Sequence, residues 1–218
     1  MEAITIHHTL DRRGKTVTTF VIYDAAEQLA TMAEGEVLEV ITDDFEPFRA
    51  DIATWCQATG QRLARTESTT AGLRFLIEKQ PARAKDTSLA MVISSDGLEE
   101  LLSPLGFALA AALEGIDVNL YFQGPAVRVL SPGFRPKLRG WSRPFSRFAE
   151  AGMRKTGHIP AKQKLVQLRN LGAHFYICGA SMPHFKVTQD ELIFDDLPLV
   201  EYFTFMAIME RADIQLYI

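Results

Sequence analysis

One cysteine of this chain stands where a reactive thiol is expected, at the end of an apolar run. The run His174-Phe175-Tyr176-Ile177-Cys178 is followed directly by Gly179-Ala180-Ser181-Met182. Aromatic and β-branched residues closed by a small, flexible turn predict a buried strand that leads into a loop. Open α/β sheets bind their ligands just beyond the carboxyl ends of their strands. We therefore expect the sulfur of Cys178 to lie at such a sheet edge.

The chemistry that suits this position is that of a nucleophilic thiolate. The backbone N–H groups of Gly179, Ala180 and Ser181 are expected to point back at the sulfur and favour its anionic form. Nucleophilic attack by a thiolate needs no cofactor, so none is expected. A purely structural Cys178 is the open alternative, because free cysteines are among the most buried residue types.

The rim of this site has a few further candidates. Met182 and His184 continue the loop, and His184 either folds back towards the thiol or stays at the surface. Ser94 and Ser95 follow an earlier apolar strand, which would put them on the same rim, although a turn and helix cap is the simplest interpretation. No pair of His or Cys residues has zinc-ligand spacing, so no metal site is expected. Cys56 falls at helical spacing among core candidates and is interpreted as packing.

The elements that would position Cys178 form an alternating α/β pattern. Leu89 to Ile93 is an unbroken apolar run, as in buried parallel strands. Ser103-Pro104 predicts an N-cap with proline at the first helical position, opening a helix that ends near Gly115. A strand from Val118 to Phe122 completes a βαβ unit, which favours a parallel sheet covered on both faces.

The first part of the chain has a different pattern, with fewer apolar runs and two helices. A polar, proline-containing segment at 81–88 predicts a linker between a domain at 1–80 and a domain at 89–218. The predicted elements of the first domain are a strand at about 2–9, a helix at 22–33, a strand at 36–42, a helix at 47–59 and strands at 61–67 and 72–79.

Composition indicates a protein of a reducing compartment, and we expect a cytoplasmic location. The chain has 218 residues, 47% of them hydrophobic, and two cysteines in unrelated contexts, which do not suggest disulfides. Its first residues do not resemble a basic and then apolar leader. The most apolar stretch, 101–122, is interrupted by polar residues and proline, which is unlike a membrane span.

Charge is distributed unevenly along the chain. Residues 128–169 contain eleven Lys and Arg and one acidic residue, Glu150, for a net +10; since the whole chain carries −4, the remainder carries −14. This basic insert predicts a docking surface for an anionic membrane or an acidic protein partner. Nucleic acid is disfavoured because the remaining −14 repels a polyanion. Alternatively, the cations pair with the acidic body of the protein. The docking candidates are Arg139, Arg143, Arg147 and Arg154.

The second part of the chain, from about Leu89 to Ile218, resembles the DsrE family of sulfur-handling proteins. The signature Cys178-Gly179-Ala180-Ser181-Met182 is similar to the branch of that family whose cysteine is followed after two residues by Ser-Met. The helix, glycine turn and strand at 110–122 and the end of the chain at 212–218 fit the same pattern. The resemblance implies that Cys178 carries sulfur as a persulfide. It also implies a homo-oligomer, a trimer or a hexamer, and the apolar stretch from Leu192 to Met209 favours such an assembly.

The first part, roughly Ile4 to Lys79, resembles the TusA (SirA-like) sulfur-relay domain. The similar segments are Leu10-Asp11-Arg12-Arg13-Gly14, the helix–turn–strand core at 34–44 and the second helix at 51–60. The working motif of that family is Cys-Pro-x-Pro after the glycine turn. Val17-Thr18-Thr19-Phe20 stands there in this chain, and no side chain of that tetrapeptide can hold a persulfide.

These observations combine into one hypothesis. The fold is α/β: a small TusA-like two-layer α/β sandwich followed by a DsrE-like doubly wound, mainly parallel sheet. The function is intracellular sulfur trafficking between donor and acceptor proteins, as a sulfurtransferase-like carrier that uses Cys178. The alternative is a non-catalytic scaffold or binding protein that recruits partners through the basic insert.

Overall fold

The computed structural model describes residues 4–81, 86–155 and 157–218. The chain divides into two compact units, one built mainly from residues 4–81 and the other mainly from residues 86–218. Half of the predicted linker at 81–88, residues 82–85, lies outside the described residues. No helix in the described ranges is both long and apolar enough to cross a membrane.

The first unit is a four-stranded sheet with two helices. Its elements are β1 (His8–Asp11), α1 (Thr18–Ala30), β2 (Val37–Thr42), α2 (Glu46–Thr59), β3 (Arg62–Thr69) and β4 (Gly72–Glu78). The sheet order is β1-β2-β4-β3, in which β1 and β2 are parallel and the other pairs are antiparallel. Leu38, Phe48, Ile52 and Phe75 are buried in its core.

Helix α2 follows its predicted position, whereas β1 lies at His8–Asp11 and not at about 2–9, and α1 ends at Ala30 and not at residue 33. α2 ends where predicted, at Gly60, whose φ of +78° is a left-handed conformation that glycine adopts without strain. α1, however, begins at Thr18 and not at residue 22. The β-branched run before residue 22 disfavours a helix locally, but burial of Phe20 and Val21 in the core overrides that preference.

The second unit is built on a five-stranded, wholly parallel sheet of order β8-β7-β6-β5-β9. The predicted parallel α/β architecture is therefore confirmed. The elements are β5 (Ser88–Ile93), α3 (Leu98–Leu113), β6 (Asp117–Phe122), α4 (Ser146–Lys155), α5 (Ala161–Asn170), β7 (His174–Cys178), α6 (Ser181–His184), β8 (Leu199–Val200), α7 (Tyr202–Arg211) and β9 (Ile214–Tyr217). Three 3₁₀ segments lie between them, at Gly124–Leu130, Gly140–Phe145 and Gln189–Glu191.

The start predicted for α3 was wrong. The helix begins at Leu98, and Pro104 lies inside it rather than at its first turn. A proline inside a helix removes one backbone hydrogen bond and costs about 3 kcal/mol. Burial of Leu101 and Leu105 on either side of Pro104 offsets that cost.

Helix α7 covers the face of the sheet towards which Cys178 points. Its Phe205 stacks on Tyr121 of β6 with ring centroids 4.7 Å apart, and it also packs against Tyr176 of β7. Cys178 belongs to the same buried cluster. The first turn of α7 therefore lies close to the carboxyl end of β7, where the candidate site is found.

Candidate functional site

Cys178 is the last residue of β7, at the carboxyl edge of the sheet as predicted. It pairs with Val200 of the edge strand β8. Its exposed fraction is 1%, so the sulfur is covered by its surroundings. The chemistry of the site depends on the groups that cover it.

Ser181 places a hydroxyl proton on the sulfur. Its Oγ donates a hydrogen bond to Cys178 Sγ at 3.0 Å and accepts one from the backbone N–H of Gly124 at 2.9 Å. Because the amide occupies a lone pair of the hydroxyl, the proton is directed at the sulfur. The Ser181 hydroxyl is therefore a hydrogen-bond donor to Sγ, held in place by the Gly124 amide.

Glu201 is a second partner of the sulfur, and the sequence did not suggest it. Cys178 Sγ donates to Glu201 Oε2 at 3.8 Å, while Glu201 Oε1 accepts the backbone N–H of Ala180 at 2.8 Å. Glu201 precedes the first residue of α7, and its side chain turns to the cysteine loop instead of capping its own helix. The carboxylate is thus a proton acceptor held against the thiol.

Gly179 lies tightly against this carboxylate. A Cβ atom at position 179 would lie 3.0 Å from Glu201 Oε1, closer than an ordinary contact. Glycine between the cysteine and Ala180 therefore leaves room for the carboxylate to reach the sulfur.

Tyr121 lies on the next strand and borders the sulfur. Burial raises the pKa of its phenol, and the neighbouring Cys178 sulfur and Glu201 carboxylate raise it further. The phenol therefore stays neutral near pH 7 and remains a hydrogen-bond donor.

The prediction that the loop amides point at the sulfur was wrong for two of the three. Gly179 N–H donates to Val200 O at 3.4 Å, and Ala180 N–H donates to Glu201. The reason is the short strand β8, which was not foreseen in the sequence: its Val200 accepts the Gly179 N–H, and Glu201, the next residue, accepts the Ala180 N–H. The group that does reach the sulfur from this loop is the side chain of Ser181.

The remaining rim candidates lie near the site without bonding to the sulfur in this structure. Ser94 Oγ donates to Ile218 O at 2.7 Å. Ser95 Oγ donates to Glu100 and accepts from Arg139 at 3.0 Å. His184 is exposed at the end of α6, and its ring packs edge-on against Phe185. Met182 is buried.

Cys56 is unsuited to thiolate chemistry, in agreement with its interpretation as a core residue. It is buried in α2, and burial raises the pKa of its thiol to about 12. The thiol is therefore protonated at neutral pH. Within the described parts of the chain, no cluster of three or more His, Cys, Asp and Glu side chains could hold a metal ion.

Part of the basic insert is paired internally. Arg128 forms a salt bridge with Asp96 and lies over the rings of Phe134 and Phe185. Arg169 pairs with Asp196. These cations therefore have structural roles.

Two further cations of the insert are held by the protein. Lys164 is buried, and its Nζ donates to Leu102 O at 2.9 Å. Arg139 forms a salt bridge of 2.9 Å with Glu100. Arg154 lies in the last turn of α4, where a cation is favourable for the helix dipole.

Six basic residues of the insert line one cleft of ≈ 630 Å³. Basic side chains outnumber acidic ones in its lining, where Asp96 and Glu150 are the acidic residues. The basic residues of the lining are Arg128, Arg135, Lys137, Arg139, Arg143 and Arg147.

Comparison with known families accounts for both units. The model of the DsrE/DsrF-like family matches residues 87–216, more than half of the chain. This chain belongs to the DsrE/DsrF-like family. The model described as sulfurtransferase TusA matches residues 20–79, so a TusA-like domain precedes the DsrE-like domain, as the sequence indicated. Both are families of sulfur-relay proteins, which supports a general role in sulfur trafficking.

Comparison with individual proteins is less informative. The crystal structure of the YchN protein from E. coli aligns with a TM-score of 0.46 and 16% identity, over 62% of this chain and 100% of that chain. No curated protein sequence matches the chain.

Proposed function

We propose that the DsrE-like domain carries sulfane sulfur as a persulfide on Cys178 and passes it to an acceptor thiol. The observation that carries the proposal is the pair of groups on Sγ. A carboxylate able to take the thiol proton lies on one side, and a hydroxyl able to stabilise the thiolate lies on the other.

Loading begins with transfer of the Cys178 proton to the Glu201 carboxylate. The thiolate attacks the outer sulfur of a donor persulfide, so that a new S–S bond forms on Cys178 while the donor S–S bond breaks. The departing donor thiolate takes up the proton from Glu201. One S–S bond forms as another breaks, so the exchange is redox-neutral and consumes no oxidant.

Unloading is the same exchange in the opposite sense. An acceptor thiolate attacks the terminal sulfur of the Cys178 persulfide, and the Cys178 thiolate is the leaving group. The Ser181 hydroxyl stabilises this thiolate as it forms, since hydrogen bonds to charged groups are about twice as strong as neutral ones.

Access to the sulfur requires a small movement, because Cys178 is buried while Glu201 is exposed. Rotation of the Glu201 side chain away from Sγ opens the side from which a donor approaches. Exposed side chains change rotamer in picoseconds to nanoseconds, so this step does not limit the rate.

The TusA-like domain contributes shape and not sulfur chemistry in this proposal. Val17, at the position of the motif cysteine, immediately precedes α1. Valine cannot ionise or form a persulfide, so the domain would serve to recruit donor or acceptor proteins.

A non-catalytic scaffold remains the second candidate function, and one observation favours it. The near-complete burial of Cys178 is typical of structural cysteines. In that case the cationic cleft, rather than the thiol, would be the functional part of the DsrE-like domain.

The two functions are separated by mass spectrometry of the reduced protein after incubation with a persulfide donor. We expect one adduct of about 32 Da, a single sulfur atom, on the peptide containing Cys178. It disappears in Cys178→Ala and persists in the control Cys56→Ala, with folding of both variants checked by circular dichroism. An unmodified wild-type protein would support the scaffold, and an adduct on Cys178→Ala would contradict the assignment of the thiol.

A further inference from the structure

Three aromatic side chains protrude from residues 139–148, here called the aromatic–arginine segment. Trp141 is 99% exposed, Phe145 is 61% exposed and Phe148 is 77% exposed. Trp141 and Phe145 belong to the 3₁₀ segment before α4, and Phe148 lies in the first turn of α4. Soluble proteins rarely leave neighbouring large aromatic residues this exposed unless they contact something.

Arginines alternate with these aromatic residues along the chain. Arg139, Arg143 and Arg147 all line the cationic cleft. Among the described residues, Arg143 and Arg147 have no ion-pair partner, in contrast to Arg139 with Glu100. Two arginines without an ion-pair partner in the described part of the chain therefore lie beside three exposed aromatic residues.

The charge of this surface narrows the range of occupants. A two-fold contact with its axis through this surface would bring the arginines of the two copies close together, and such juxtaposed like charges are unfavourable. A nucleic acid offers phosphates to the arginines but no apolar layer for the three protruding aromatic side chains. An anionic lipid surface suits both the arginines and the aromatic residues, because arginines bind lipid phosphates and Trp and Phe occupy the interfacial layer.

We propose that the aromatic–arginine segment docks this protein on an anionic lipid bilayer. Trp141, Phe145 and Phe148 enter the interfacial layer, and Arg143 and Arg147 bind lipid phosphates at the mouth of the cleft. The mode is peripheral, in keeping with the absence of a membrane-spanning helix from the described residues. This inference goes beyond sulfur transfer and does not depend on the reactivity of Cys178.

Co-sedimentation with vesicles tests the proposal on the full-length protein. We expect binding to vesicles of phosphatidylcholine with phosphatidylglycerol, little binding to phosphatidylcholine alone, and loss of binding as salt rises from about 0.05 M to 0.5 M. Arg143→Gln/Arg147→Gln should weaken binding by about 20-fold, given the usual contribution of each cation near an anionic surface. The charge-matched control Lys15→Gln/Arg62→Gln, on exposed residues of the other domain, should bind like the wild type.

Tryptophan fluorescence reports insertion separately. Trp55 is buried and Trp141 is fully exposed, so a blue shift of the emission on adding anionic vesicles arises from Trp141. The shift should vanish in Trp141→Phe and persist in Phe107→Ala, which removes an aromatic residue that is exposed elsewhere on the domain.

Several results would overturn the proposal. One is that the wild type does not sediment with anionic vesicles at low salt. Another is that Arg143→Gln/Arg147→Gln binds these vesicles as well as the wild type does. A third is that the protein binds poly-glutamate but not vesicles, which would assign the surface to acidic proteins. If the protein binds glycerol phosphate at millimolar concentration but does not bind vesicles, the cleft is a site for soluble phosphate esters. The variant Cys178→Ala should bind vesicles like the wild type, so a failure of sulfur loading is distinguishable from a failure of docking.

Discussion

At the scale of single residues, the Cys178 thiol is distinguished from Cys56 by its polar neighbours and not by its degree of burial. Both thiols are buried. Cys56 lies in an apolar core that raises its pKa to about 12, whereas Cys178 contacts the Ser181 hydroxyl and the Glu201 carboxylate. Two cysteines with similar exposure therefore have different chemical capabilities.

Replacing the carboxylate of Glu201 should slow sulfur loading while leaving the capacity of the protein unchanged. Glu201→Gln keeps an oxygen that can accept the Ala180 N–H but removes the base that takes the thiol proton. We expect the rate at pH 7 to fall about 100-fold, at the low end of general-base contributions. Time-resolved mass spectrometry of the adduct on Cys178 measures this rate.

The matched control for that experiment is Glu210→Gln, an exposed carboxylate near the far end of α7. Its loading rate should equal that of the wild type. If Glu201→Gln also loads at the wild-type rate across the pH range, the carboxylate only holds the loop through Ala180.

At the scale of elements, helix α5 carries an unusual core residue. Lys164 lies on its buried face together with Leu165 and Leu168, and burial lowers the pKa of its ammonium group to about 8. The ordinary value is 10.5. Lys164 was counted among the cations of the basic insert, but it lies in the core and not on the surface.

This lowered pKa makes the contribution of α5 to stability depend on pH. Between about pH 8 and 10.5 the unfolded chain holds a proton on Lys164 that the folded protein has lost. The free energy of unfolding therefore gains a contribution that grows as pH rises. Below pH 8 the folded protein bears the full cost of burying the charged form.

The measurement is urea unfolding of the wild type and Lys164→Met at pH 7 and pH 9.5. At each pH, the free energy of unfolding of the variant is subtracted from that of the wild type. This subtraction cancels the pH dependence that Cys56 and other titratable groups contribute to both proteins. We expect the stability of the wild type relative to the variant to improve by about 2 kcal/mol between these pH values. Lys162→Met, on the same helix but not buried, should show no such change, and a pH-independent difference for Lys164→Met would contradict the prediction.

At the scale of the whole molecule, apolar surface remains exposed on the DsrE-like domain. The stretch from Leu192 to Met209 is not one helix: Leu192 and Leu197 are buried, whereas Tyr202 and Phe203 of α7 are 62% and 93% exposed. Met206 lies on the same outer side of α7. We propose that identical subunits associate through this face of α7, as the resemblance to the DsrE family implied.

Light scattering of the purified protein tests this association. We expect a mass well above the 24.4 kDa of one chain, and a large shift towards that value in Phe203→Glu, which would place a charge in the apolar contact. Phe107→Glu, which changes an exposed aromatic residue on α3, should leave the mass unchanged. A wild-type protein of about 24 kDa at high concentration would exclude the proposed assembly.

Much of this protein was readable from the sequence, because strand runs and helical periodicity are local properties. The apolar run that ends at Cys178, the strands at 89–93 and 118–122, and the helix end at Gly60 all follow from residues within one element. The families were also indicated by short contiguous motifs. By the resemblance to the TusA domain, the sequence also predicts that Val17 stands where that family has its motif cysteine.

The partners of the sulfur could be decided only by the tertiary structure. Glu201 is 23 residues from Cys178 along the chain, and it reaches the sulfur because β8, a strand of two residues, aligns beside β7. A two-residue strand has no periodicity to detect, so the sequence offered no signal for it. The same limit explains α3, where Pro104 looked like a helix start until the burial of leucines on both sides outweighed its local cost. Local preference determined which residues form elements, and long-range packing determined which side chains meet.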